Sequence, residues 1–113
     1  MILRGDIFYA DLGERMGSEQ SGVRPVLVVQ NDQGNRYAST LIVAPMTSRL
    51  KRPLPTHIYL PRGACDNLAP STVLTEQLTT IDTARLLSYV GFLPSAYMLQ
   101  VDSALRISFG LTA

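Results

Sequence analysis

A chain of 113 residues is long enough to bury a core without staples, and its single cysteine, Cys65, has no internal partner; a disulfide framework is excluded and a reducing compartment fits. Ten basic and nine acidic residues leave a net charge of +1, which argues neither for nor against a nucleic-acid partner. No apolar run approaches the ~18 residues of a membrane span and the start carries no apolar leader segment, so the expectation is a cytoplasmic protein with no membrane partner and one domain over residues 1–113.

In chain order, Ile7 to Leu12 (IFYADL) reads as a first strand, followed by a polar loop from Gly13 to Gly22 that is longer than a usual hairpin connection. Val23 to Gln30 is a second strand, whose Val-Leu-Val-Val core predicts burial on both faces; Pro25 is tolerable only at an edge or a strand beginning. Asn31 to Asn35 reads as a turn. Thr40 to Met46 is a third strand, Arg49 to Thr56 a loop with two prolines, and His57 to Leu60 a fourth strand. Cys65 sits in turn-like sequence.

Ser71 to Ile81 predicts one alternating strand, with Val73, Thr75, Gln77 and Thr79 on one face and Leu74, Glu76, Leu78 and Thr80 on the other. Asp82 can cap a helical turn before a last strand, Ser88 to Leu93. From Ser95 to about Leu111, Met98, Val101, Leu105 and Phe109 recur at helical spacing, widened by Ala104, Ile107 and Leu111, and predict a helix packed through that stripe. Six strands and a terminal helix point to a small antiparallel barrel, mainly β in class (α+β).

The chemistry on offer is narrow. One Cys and one His cannot form a zinc site of the usual type, and there is no P-loop, dinucleotide fingerprint or nucleophile elbow. His57 suits a structural role as well as a proton-carrying one. There remain Ser18, Glu19, Gln20, Arg24 and the Thr47-Ser48 pair, with Arg49, Lys51 and Arg52 beside them. Nine of the ten basic residues are Arg, the side chain that matches phosphate bidentately. Such a set suits metal-free RNA cleavage, because the ribose 2′-OH is a nucleophile already present in the substrate. Glu19 with Arg24 is equally compatible with a surface ion pair worth under roughly 1 kcal/mol.

Arg4-Gly5-Asp6-Ile7, Gly17-Ser18-Glu19-Gln20, Arg24-Pro25-Val26-Leu27-Val28, Gln30-Asn31-Asp32, Leu54-Pro55-Thr56-His57 and Thr75-Glu76-Gln77-Leu78, in this order and spacing, resemble the MazF/PemK family of toxin endoribonucleases. The resemblance covers nearly the whole chain. It implies an SH3-like, CcdB-like barrel, a homodimer, and metal-independent, sequence-specific cutting of single-stranded RNA to 2′,3′-cyclic phosphate and 5′-hydroxyl ends, with no cofactor. It also implies a cognate antitoxin whose acidic, flexible tail fills the RNA groove. By position, the catalytic residues it implies are Arg24, Thr47 and Glu19. Ser18 and Gln20 complete the pocket, Gln77 lies near the substrate channel, and Ser48, Arg49, Lys51, Arg52 and His57 join the RNA-binding set. The rival is a CcdB-like, non-catalytic toxin that binds a protein target such as gyrase; a plain single-strand binder fits less well, because Tyr9, Tyr37 and Tyr59 look scattered.

Overall fold

Four consecutive apolar residues need cover on both sides of a strand, and Val26, Leu27, Val28 and Val29 receive it, each 9% exposed or less. The computed structural model describes residues 1–49 and 52–111. It places most of this run in β2 (Val23–Val28), between β1 (Asp6–Asp11) and β3 (Thr40–Thr47). The other strands are β4 (His57–Leu60), β5 (Ser71–Leu74), β6 (Thr79–Asp82) and β7 (Leu86–Phe92), with helices α1 (Asp32–Tyr37) and α2 (Ser95–Ser108). All pairings are antiparallel, in the order β4-β5-β3-β2-β1-β7, with β6 also on β3.

Alternation along the strands builds two cores. Leu27, Ala44, Met46, Ile58 and Val73 pack with Val101 and Ala104 of α2, whereas Val26, Val28, Leu41, Val43 and Ile81 form a second cluster with Ala10 and Leu12. Pro25 is tolerated because β2 pairs there with β1 alone; pairing with β3 begins at Val26.

Several expectations are corrected. The strands do not close into a barrel: β4 and β7 stand at the two ends of the pairing path, each with one neighbour, and the sheet is open, while the mainly β class with a terminal helix stands. The expected turn after β2 is helix α1. Asn31, whose side chain accepts from the Gly34 N–H at 2.8 Å, is its N-cap, the same chemistry that suggested a turn.

The single strand expected over Ser71 to Ile81 is two, separated by a 3-10 turn at Thr75–Gln77. Both pieces pair with the same edge of β3, β6 with Thr40–Val43 and β5 with Met46–Thr47. The break falls opposite Ala44 and Pro45. Ile42 directs its backbone oxygen to β2, so by the two-residue period Pro45 faces the other edge, where it has no N–H to give. Asp82 does cap the next 3-10 turn, accepting from the Ala84 N–H. In α2 the buried stripe is Val101 and Ala104, with Met98 and Leu105 partly covered; Ile107 is exposed, and Phe109 and Leu111 are exposed beyond the end of the helix at Ser108, whose hydroxyl still donates to the Thr75 carbonyl.

Candidate active site

The register of β2 on β3 decides how two of the candidate residues meet. Val26 pairs with Pro45, the last pair of the ladder, and the same register, if carried two residues further along both strands, would bring Arg24 opposite Thr47. Pairing stops at Val26–Pro45, so no ladder hydrogen bond closes the space between them. Arg24 is half-buried and donates from Nε to the Ser21 carbonyl at 2.9 Å, which fixes the guanidinium at the mouth of the β1–β2 loop. Thr47 is buried at the end of β3, and its Oγ1 accepts from the Arg49 N–H at 3.2 Å.

The β1–β2 loop is tied at its base and held at its tip. Leu12 N–H donates to the Gly22 carbonyl and Gly22 N–H to the Gly13 carbonyl, both at 2.9 Å. Gly13 and Gly22 have φ of +72° and +73°, which only glycine adopts without strain. At the tip Gln77, carried out by the 3-10 turn, makes two bonds: its Oε1 accepts from the Gln20 N–H and its Nε2 donates to the Ser18 carbonyl, both at 2.9 Å. Gln77 therefore holds the loop backbone. Glu19 is exposed and pairs with Arg15 at 3.6 Å, not with Arg24, and Arg15 also donates to Thr79 Oγ1 at 3.0 Å. Gln20 is buried, and its Oε1 has no donor among the described residues.

Two hollows flank this region. One, of about 410 Å³, is lined by Ser18, Glu19, Gln20, Glu76 and Gln77. The other, of about 340 Å³, is lined by Thr47, Ser48, Arg49, Leu54, His57 and Tyr59, among others. They meet at a pair the sequence did not single out as a pair: His57 Nε2 lies 2.9 Å from Glu76 Oε2, and Thr56 Oγ1 donates to Glu76 Oε1 at 3.0 Å. Burial opposes the Glu76 charge, but hydrogen bonds from His57, from its own backbone N–H and from Thr56 outweigh it and hold its carboxyl below the ordinary carboxylate value. An ionised carboxylate only accepts, so Nε2 of His57 is the protonated nitrogen.

The structure thus gathers Ser18, Glu19, Gln20 and Gln77 around one hollow and Thr47, Ser48, Arg49 and His57 around the other, with Arg24 tied to the Ser21 carbonyl at the loop base. Arg24 and Arg52 line neither hollow, and Lys51 lies outside the described residues. Glu76 went unselected because its partner is on a different strand.

A polar loop held beside two hollows, on a small, mainly β domain with a terminal helix, sets the class, and comparison with known proteins places it. A sequence profile for the PemK-like, MazF-like toxin of type II toxin–antitoxin systems matches residues 3–109, and the chain belongs to that family. It is 46% identical to the endoribonuclease MazF of Staphylococcus epidermidis over 112 residues, 98% of this chain and 93% of that one. Among solved structures, a mycobacterial endoribonuclease in complex with its cognate antitoxin superposes with a TM-score of 0.84 at 26% identity, over 100% of this chain and 99% of that one. MazF from Deinococcus radiodurans superposes with a TM-score of 0.83 at 24% identity over 96% of both chains, a likeness of fold.

Proposed function

We propose that this toxin endoribonuclease cuts single-stranded RNA at short specific sequences by transesterification, in the gap between Arg24 and Thr47. The observation that supports the reading is the β2–β3 register, which ends at Val26–Pro45 and, carried two residues on, would bring Arg24 opposite Thr47 beside the loop. The 2′-oxygen attacks the adjacent phosphorus, the bond to the 5′-oxygen breaks, the departing 5′-oxygen takes a proton from water, and the products are a 2′,3′-cyclic phosphate and a 5′-hydroxyl. Arg24, always charged, stabilises the extra negative charge on the phosphorane oxygens, and the Thr47 hydroxyl donates to the same group.

Glu19 is the proposed acceptor of the 2′-OH proton, carried on the loop that Gln77 holds. Ser18, Gln20, Ser48, Arg49, Arg52 and His57 complete the RNA-binding surface in this reading, Gln77 acts on it through the loop, and no cofactor takes part. The protein works as a single domain, a homodimer in the cytoplasm, and is silenced by a cognate antitoxin whose acidic, flexible tail occupies the groove. No helix among the described residues is long and apolar enough to cross a membrane.

Incubation of the purified protein with a long unstructured RNA in excess EDTA, with the new ends mapped by primer extension, tests this. Discrete cuts at one recurring motif with cyclic phosphate ends are expected. Intact RNA from folded, antitoxin-free protein would overturn it and turn attention to a protein target such as gyrase.

A further inference from the structure

The hollow beside Thr47 has an occupant chemistry written into its floor. Thr47 of β3 pairs with Thr72 of β5, and Thr72 pairs with Tyr59 of β4, so the three residues form one rung across three strands and point to the same face. At the usual strand spacing Tyr59 stands about 9–10 Å from Thr47. Tyr59 is 61% exposed as a residue and lines the hollow of about 340 Å³, with Pro53, Leu54 and Pro70 supplying further apolar wall and Arg49 a cationic rim. The residues of opposite parity on the same strands, Met46, Val73 and Ile58, are sealed against α2. A large aromatic left bare on the one open face of these strands, in line with a buried threonine, is a platform and not a core residue.

We infer that Tyr59 is a stacking platform for a nucleobase of the bound RNA, belonging to a nucleotide that flanks the scissile phosphate. Single-stranded RNA is held by splaying its bases onto aromatic faces, while cationic groups follow the backbone. The rung supplies both parts in order: the phosphate at Thr47, the base at Tyr59, and Arg49 at the edge between solvent and hollow. Two other exposed tyrosines have partners of their own: Tyr37 lies under the Arg36 guanidinium on α1, and Tyr89 of β7 packs edge-on against Phe8 of β1. This inference rests on the nuclease reading above, because it places the base relative to the phosphate that is cut.

The test compares wild type with Tyr59→Phe, Tyr59→Leu and Tyr59→Ala. The probe is an oligonucleotide spanning the wild-type cleavage motif, with a single 2′-deoxy sugar at the scissile nucleotide so that it binds uncut. Tyr59→Phe keeps the ring and holds the dissociation constant within about twofold; Tyr59→Leu and Tyr59→Ala raise it about tenfold or more. On the cleavable RNA the same two variants raise KM and leave kcat near wild type. Tyr59→Leu binding as tightly as wild type, or Tyr59→Phe losing as much as Tyr59→Leu, would overturn the inference while the nuclease reading stands. A wild type that cuts no RNA would overturn both. Because the side chain is exposed, all three variants keep the wild-type melting temperature, which removes misfolding as an explanation.

Discussion

Strands β3, β5 and β4 have two faces with opposite fates. Met46, Val73 and Ile58 are sealed under α2, whereas Thr47, Thr72 and Tyr59, their immediate neighbours in sequence, line an open hollow. Nothing separates the two sets but the two-residue period of a strand. The core can therefore be packed tightly without constraining what the groove reads, and the groove inherits a rigid floor from the core.

The sharpest way to break that comparison is to remove the charge held at the β1–β2 loop base without touching the core. Arg24→Ala is expected to reduce cleavage by roughly 10²–10³ or more while leaving the fold intact, measured by single-turnover cutting alongside thermal unfolding. Near-normal cutting would remove Arg24 from the phosphate site.

Adjacent substitutions on β3 then set the two faces against each other. Met46→Ala should cost about 2–5 kcal/mol of stability through the cavity it leaves under α2. Thr47→Val, which loses one hydrogen bond from the Arg49 N–H, should cost only about 1 kcal/mol yet cut the rate about a hundredfold. Equal stability losses in denaturant titrations would show that the faces are not independent.

Gln77→Ala probes how the loop is held over the groove. Hydrogen exchange at the Gln20 amide should accelerate, while the Leu12 and Gly22 amides at the loop base stay protected, and kcat/KM should fall about tenfold as the loop loses its position. Unchanged exchange at Gln20 would deny Gln77 that role.

The smallest effect concerns pH. The Glu76 carboxyl lies below its ordinary value of 4.5 in the fold, so its ionised form is favoured by folding. Its stabilisation is fully present above 4.5 and is lost as pH falls through the lower folded value. Glu76→Gln should flatten the acid limb of the stability curve below that point, followed by the melting temperature; an acid limb as steep as wild type would show that the His57 and Thr56 contacts contribute nothing.

Local sequence signals carried some parts of this molecule well. The His57–Leu60 strand has the predicted bounds, and α2 starts at Ser95 as expected, although Pro94 stands at the N-cap and no side chain caps the first turn. The failures have long-range causes. The alternation from Ser71 to Ile81 continues through a 3-10 turn because both flanking strands use one edge of β3, which no residue within the stretch announces. Asn31-Asp32 serves a cap as well as a turn, so α1 was hidden. Ile107, Phe109 and Leu111 keep helical spacing, but Ile107 is exposed and the helix ends at Ser108, before the other two.

The site divides in the same way. Ser18, Glu19 and Gln20 are contiguous and were legible as a loop, but Gln77 as its latch, Glu76 as the partner of His57 and Tyr59 in line with Thr47 are relations between strands. Tyrosines that look scattered along the chain need not be scattered on a sheet.

The two backbone bonds that pinch the β1–β2 loop at Gly13 and Gly22 make residues 14–21 a cassette. Lengthening or exchanging what lies between those glycines leaves the ends of β1 and β2 where they are, so the domain can acquire a new target preference by grafting a segment that keeps Glu19, the proposed proton acceptor, and the Ser21 carbonyl that holds Arg24. Gly13→Ala is the substitution that such grafts must avoid, since a Cβ there meets the Arg85 guanidinium at 3.3 Å as well as an unfavourable φ.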